Sequence, residues 1–181
     1  SIENVYQADF IKAIMEQGFG DLEYVVQEKV HGANLCFITD GSNILQAKRT
    51  ELIHTNEDFY NSNQVLNKYR EKILTLFSIA AKEFNTNSIT IYGELFGGGY
   101  PHAQVPKDEQ AKLVQPGIYY TPSNDFYAFD ILLADGRYLD VTTASRLFED
   151  VGFIYARPLF KGTLMECLAF PNQFKTTIPN E

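Results

Sequence analysis

Between Gln64 and Phe84, apolar residues stand at positions 65, 66, 69, 73, 76, 77, 80, 81 and 84, a spacing that keeps them on one stripe of an α-helix. This is the main helix of the chain, and a stripe that long has to be laid against another layer. The strongest partners are two apolar runs on its C-terminal side, Ser88 to Phe96 and Asp125 to Leu133, which read as buried strands. On its N-terminal side, Leu22 to Thr39 is β-branched and aromatic on both flanks of a polar stretch. It reads as two strands joined through Lys29-Val30-His31-Gly32-Ala33-Asn34. The turn Asp40-Gly41-Ser42-Asn43 then leads into a third strand, Ile44 to Ala47.

Short helices complete the pattern. Ala8 to Gly18 places Phe10, Ile11, Ile14 and Met15 on one face, with Gly18 as the stop, and Thr142 to Val151 forms another. Thr163-Leu164-Met165-Glu166 has the capping-box form that opens a further helix. The Gly/Pro-rich stretch from Gly97 to Pro122 is long enough to be functional or mobile, and Asn172 to Glu181 is an unpatterned tail. Strands of antiparallel character mixed with a few helices give an α+β class.

With 181 residues, 45% hydrophobic and 14% aromatic, the chain can bury one sizeable core, so residues 1–181 are expected to form a single domain. No run approaches the ~20 apolar residues of a membrane span, and Ser1-Ile2-Glu3-Asn4 lacks a signal-peptide pattern. The expected setting is intracellular and cytoplasmic, with organellar or virus-encoded origins open and no membrane partner. Cys36 and Cys167 lack metal-ligand spacing and read as buried thiols. A net charge of -8 argues against a surface that coats nucleic acid generally, so any such contact must be local.

Four segments can carry chemistry. In Glu28-Lys29-Val30-His31-Gly32-Ala33-Asn34, a lysine at a strand end beside a glycine suits attack on a nucleotide's α-phosphorus. An amine of ordinary pKa, ~10.4, attacks only once neighbouring cations have lowered that value. The same residues also fit a hairpin turn with a solvated lysine. Ala47-Lys48-Arg49-Thr50, about twenty residues on, can form a local phosphate clamp, or simply a solvated pair.

The third segment, Ile91 to Tyr100, sets Glu94 between glycines on an apolar strand, where a buried carboxylate needs a partner, a ligand hydroxyl or a metal, a salt-bridged structural glutamate being the alternative. Its glycine run is followed by no Gly-Lys-Ser/Thr and is not a Walker loop. The fourth, Asp125 to Ile131, carries Phe129, expected on the face opposite Ala128 and Asp130 and able to stack on a base or to fill core. His54 and His102 read as surface histidines, and Ser123 and Ser145 lack nucleophile-elbow context.

In order and spacing, these segments resemble the covalent nucleotidyltransferase superfamily of polynucleotide ligases and capping enzymes. Lys29 to Gly32 resembles motif I, Ala47 to Thr50 the arginine motif after it, Tyr92 to Gly97 motif III and Phe126 to Ile131 motif IIIa. His31-Gly32, where DNA ligases carry Asp-Gly, is similar to the bacteriophage RNA ligase 2 branch that includes RNA-editing ligases. So are Ser1 to Asn4, Glu28 to Asn34 and Gly117 to Pro122, and the resemblance covers nearly the whole chain.

The resemblance implies a nucleotidyltransferase (ATP-grasp-like ligase adenylylation) domain with antiparallel sheets flanked by helices. Lys29 would take AMP from ATP, pass it to an RNA 5′-phosphate and let a 3′-hydroxyl displace it, with Mg²⁺ or Mn²⁺ offsetting charge. Nicked duplex RNA is the implied partner. Glu28, Val30, His31, Asn34, Arg49, Glu94 and Phe129 would form the nucleotide site: Glu28 flanks the nucleophile, His31 and Asn34 line the phosphate side, Arg49 holds phosphate, Glu94 binds ribose and Phe129 stacks on adenine. Lys48, Arg49 and Asn34 would meet the polynucleotide, and no metal ligand is identified in these residues.

Family members carry two further elements, a Glu-Gly-x-Val-x-Lys motif IV and a Lys-x-Lys motif V, and neither occurs in these 181 residues. The expectation is therefore a domain incomplete at its C-terminus that adenylylates weakly or not at all by itself. Two alternatives stay open: a non-catalytic nucleotide- or RNA-binding module, and a DNA ligase or capping-type transferase.

Overall fold

The computed structural model describes residues 7–101 and 104–178. Ser1 to Asn4 and His102 lie outside them. Along the chain the elements are α1 (Ala8–Glu16), β1 (Tyr24–Gln27), β2 (Ala33–Thr39), β3 (Ile44–Ala47), α2 (Ser62–Phe84), β4 (Ile89–Gly97), β5 (Asn124–Leu133), α3 (Val141–Val151), β6 (Ile154–Tyr155), β7 (Pro158–Gly162) and α4 (Leu164–Leu168). The expected α+β class holds, and two compact units build it. Of the described residues, one comprises 7–28 and 157–177, the other 29–101, 104–156 and 178.

The larger unit is a five-stranded sheet in the order β3-β2-β4-β5-β6. Its central ladders are antiparallel, as expected, but β6 pairs with β5 in parallel. Leu35 and Phe37 of β2, Ile89, Ile91 and Leu95 of β4, and Phe126, Ala128, Ile131 and Leu133 of β5 share one core. Onto it α2 lays Val65, Leu66, Tyr69, Ile73, Leu76 and Ala80, the stripe anticipated from its spacing, and α3 adds Ala144, Leu147 and Phe148. Each large side chain so buried contributes ~1.5 to 3 kcal/mol before entropy is counted.

Local chemistry fixes the ends of these elements. Asp40 makes the β2–β3 turn by accepting from the N–H groups of Ser42 and Asn43 at 2.9 and 2.8 Å, which also holds its carboxyl below the usual range. α2 ends at Asn85, which takes the left-handed conformation at φ 52°. Asp140 caps α3 by accepting from Thr143 N–H at 2.9 Å.

In β5 the ladder to β4 shifts between Tyr92 and Gly93: Gly93 pairs with Ala128, Tyr92 with Asp130, and Phe129 is the extra residue. The bulge overturns the expected alternation. Paired residues share a face, so Asp130 lies on the Tyr92 and Glu94 side of the sheet, with Tyr127, and not with Ala128.

The smaller unit pairs β1 with β7, antiparallel. The two strands on either side of Lys29 therefore enter different ladders and form no hairpin. α4 opens with the anticipated capping box, in which Thr163 N–H donates to Glu166 at 2.8 Å and Glu166 N–H to Thr163 Oγ1 at 3.3 Å. Neither β6 nor β7 was expected: one is two residues long, and the other carries Pro158 and the charged Lys161.

Candidate active site

Lys29, Val30 and His31 alternate out, in, out as the chain approaches β2. Val30 is the anchor, 4% exposed within a cluster of Phe96, Tyr127, Ala156 and Ile178, while Lys29 and His31 are exposed. Phe129 packs on that cluster, which brings the motif I and motif IIIa segments together. The apolar anchor thus holds a basic side chain in solvent on a fixed backbone.

Gly32 then passes close to β4. A Cβ added there would lie 2.1 Å from the Leu95 carbonyl oxygen and 2.9 Å from Glu94 Cγ, so only glycine fits. The Gly32 N–H donates to the Glu94 carboxylate, and the Lys29 charge also attracts it, yet burial dominates and raises the Glu94 carboxyl above its ordinary value. Asn34 stands directly opposite Glu94 in the β2–β4 ladder. One patch of sheet therefore presents an amine, an amide, a half-buried carboxylate and, beside them, an aromatic ring.

Along the same face, one pairing further from Lys29, lie Cys36, Tyr92 and Asp130. Burial pushes the Tyr92 hydroxyl up to about 12, helped by its hydrogen bond with Tyr138, and burial likewise raises the Asp130 carboxyl.

A family model described as RNA ligase matches residues 22–177 of the chain. The chain belongs to the RNA ligase family. RNA-editing ligase 2, mitochondrial, of Trypanosoma brucei brucei is 31% identical over 192 residues, covering 93% of this chain and 46% of that protein. RNA-editing ligase 1, mitochondrial, of the same organism is 28% identical over 205 residues, covering 93% and 42%. The chain thus spans less than half the length of these curated relatives. In fold it resembles solved Naegleria gruberi RNA ligase structures: a variant described with ATP and Mn gives a TM-score of 0.60 at 17% identity, covering 87% of this chain and 43% of that one. A structure described with PPi gives 0.57 at 17% identity, covering 86% and 41%.

Within this family member, not every residue singled out in the sequence is brought to Lys29. The chain turns back straight after β3, with Lys48 N–H donating to the Glu51 carbonyl at 2.8 Å and Ala47 bridging to Leu52. Lys48 does not stand free as half of a clamp. Its ammonium pairs with Glu57 and with Glu51, the latter at 3.2 Å, and lies 5.4 Å from the centre of the Phe59 ring. Those carboxylates, Glu57 foremost, raise its pKa. Arg49 is exposed in the turn, one strand over from Asn34, and has no ion pair among the described residues.

Glu28 is engaged within the smaller unit. Its carboxylate accepts from Thr176 Oγ1 at 2.6 Å and from the Thr177 N–H and Oγ1 at 2.7 and 2.5 Å. The tail read as unpatterned is therefore tied down, and within the larger unit Ile178 is buried.

The described part of the Gly/Pro-rich segment is fastened at several points. Asn124 exchanges two hydrogen bonds with the Lys112 backbone, at 2.8 and 2.7 Å, Val114 is buried, and Lys112 pairs with Asp58. Tyr120, which sequence reasoning left without a role, accepts the His31 N–H.

No group of three or more His, Cys, Asp or Glu among the described residues is placed to hold a metal ion. No helix of the described residues is long and apolar enough to cross a membrane.

Proposed function

We propose that this chain supplies the adenylylation part of an ATP-dependent RNA ligase and that Lys29 is the residue that carries AMP. The observation that supports this best is the setting of Lys29: exposed, next to the buried Val30, with Gly32 and Glu94 pressed together beside it. The family match, which runs through both compact units, favours treating residues 1–181 as one nucleotidyltransferase domain.

In the first step the Lys29 amine attacks the α-phosphorus of ATP, the bond to the β-phosphate breaks, pyrophosphate leaves and the nitrogen loses a proton. An RNA 5′-phosphate oxygen then displaces Lys29 to give an adenylylated end, and a 3′-hydroxyl displaces AMP to form the phosphodiester. The divalent cation enters with ATP, as metal-bound substrate, and offsets phosphate charge.

Glu94 holds the ribose hydroxyls, a role for which a half-buried carboxylate opposite Asn34 is suited. Phe129 stacks on adenine, with its ring held by the Val30 cluster. Val30 acts as the anchor of the loop, and His31 and Asn34 face the phosphates. Arg49 is the cation free to meet phosphate, whereas Lys48 shapes the turn that carries it. Glu28 flanks the nucleophile in the sequence, and its carboxylate accepts hydrogen bonds from Thr176 and Thr177.

RNA with 5′-phosphate and 3′-hydroxyl ends, as nicks in a duplex, is the proposed substrate. The free thiols of Cys36 and Cys167 suit a reducing compartment, and the cytoplasm is the proposed one. The test is joining by the full-length polypeptide containing these residues, on matched RNA and DNA nicks with ATP and Mg²⁺. Sealing of RNA nicks in preference to DNA is expected, and no joining of either would leave a binding module.

A further inference from the structure

His31 lies just outside the β2 ladder, so its backbone N–H needs an acceptor that no strand provides. It donates to the Tyr120 hydroxyl, 3.1 Å away. Tyr120 comes from the far end of the long segment between β4 and β5, 89 positions along the chain.

Tyr120 is itself held on several sides. Its ring meets Phe96 edge-on, with centroids 5.6 Å apart, and packs against the cluster that buries Val30. On its C-terminal side the backbone is fastened to the end of β4: Gly99 N–H donates to the Thr121 carbonyl at 3.3 Å and Gly98 N–H to the Ser123 carbonyl at 3.0 Å. Close approach there depends on Gly97, where a Cβ would lie 2.3 Å from the Ser123 carbonyl oxygen and 2.6 Å from Thr121 Cγ2. The glycines that ruled out a Walker loop thus seat the segment that carries Tyr120.

We infer that Tyr120 is a positioning residue for the Lys29 loop, its hydroxyl fixing the His31 amide while Val30 is sealed in the cluster below. Lys29 stands next to the one and two residues from the other, so its backbone has little freedom. The short stretch from Tyr120 to Ser123 then acts as a strut that carries order from the glycine end of β4 to the nucleophile loop. This role rests on the proposed function of Lys29. Because the bond Tyr120 makes is to the loop backbone, its loss should affect the attack more than the binding of ATP.

Two measurements test it, with Tyr120→Phe, which keeps the ring, and Tyr119→Phe, at the exposed neighbour, as control. In the 181-residue chain, amide exchange followed by NMR should speed up at His31 by about fivefold or more in Tyr120→Phe, the factor one neutral hydrogen bond supplies, with Leu95 and Phe96 unchanged. In the full-length polypeptide, adenylylation with α-labelled ATP and Mg²⁺ should slow about fivefold at saturating ATP, with KM for ATP nearly constant. Tyr119→Phe should match the unaltered protein in both. Unchanged His31 exchange overturns the contact, and a normal maximal rate despite faster exchange overturns the positioning role. An unaltered protein that forms no lysyl-AMP overturns the reading of Lys29 itself, while the exchange measurement still decides whether Tyr120 orders the loop.

Discussion

Gly32 passes so close to Leu95 that a methyl group in place of its hydrogen would lie 2.1 Å from the Leu95 carbonyl oxygen. The clash is with backbone in the middle of a five-stranded sheet, so no side-chain rotation relieves it. Gly32→Ala should destabilise the protein by ~1 to 3 kcal/mol and weaken ATP binding, since the Gly32 N–H would move off Glu94. Denaturant unfolding and equilibrium binding check the two effects together. Wild-type stability in this variant would mean that the loop approaches β4 less closely.

Glu94 gives a pH signature. Burial raises its carboxyl above the unfolded value, so ionising it in the fold costs stability, and that cost sets in as pH rises from the unfolded pKa of ~4.3. Glu94→Gln should therefore melt higher than the unaltered chain at pH 7.5, and the gap should close as pH falls to about 4. The same variant should bind ATP more weakly. A lower melting temperature at neutral pH would show that the carboxylate is needed for the fold.

Much of this arrangement was legible because its signals are local. The stripe of α2 and the apolar runs of β4 and β5 follow from residue spacing, and Lys29, Asn34, Glu94 and Phe129 stood out as polar or aromatic residues placed within or beside such runs. What stayed hidden depends on contacts between distant positions. The bulge at Phe129 is set by pairing with β4, the β1–β7 ladder joins strands over 130 residues apart, and the pinning of the long segment comes from Asn124, Asp58 and His31. The ion pairs of Lys48 were hidden for the same reason, since Glu51 and Glu57 reach it only once the chain turns back after β3.

That turn separates the two cations. On the proposed role of Arg49, Arg49→Ala should weaken ATP binding markedly and flatten its dependence on salt, because its guanidinium is exposed and has no ion pair among the described residues. Lys48→Ala should chiefly loosen the turn, lowering the melting temperature slightly with a smaller effect on binding. Titrations at low and high salt distinguish them, and equal losses in both variants would favour the two-residue clamp instead.

Phe129 is predicted to act through its ring. Phe129→Ala should weaken ATP binding by ~1 to 3 kcal/mol, about 5- to 150-fold, whereas Phe129→Tyr keeps the stacking face and should retain most of the affinity. Calorimetric titration with ATP compares them. Equal affinity in all three would confine Phe129 to packing on the Val30 cluster.

The central claim is that Lys29 carries AMP. The most direct measurement incubates the full-length polypeptide with α-labelled ATP and Mg²⁺, then maps the labelled peptide by mass spectrometry, alongside Lys29→Ala. The label should sit on Lys29 as a phosphoramidate, stable to base and released by acid, and should vanish in the variant. Label persisting in Lys29→Ala, or mapping to another lysine, would contradict the account.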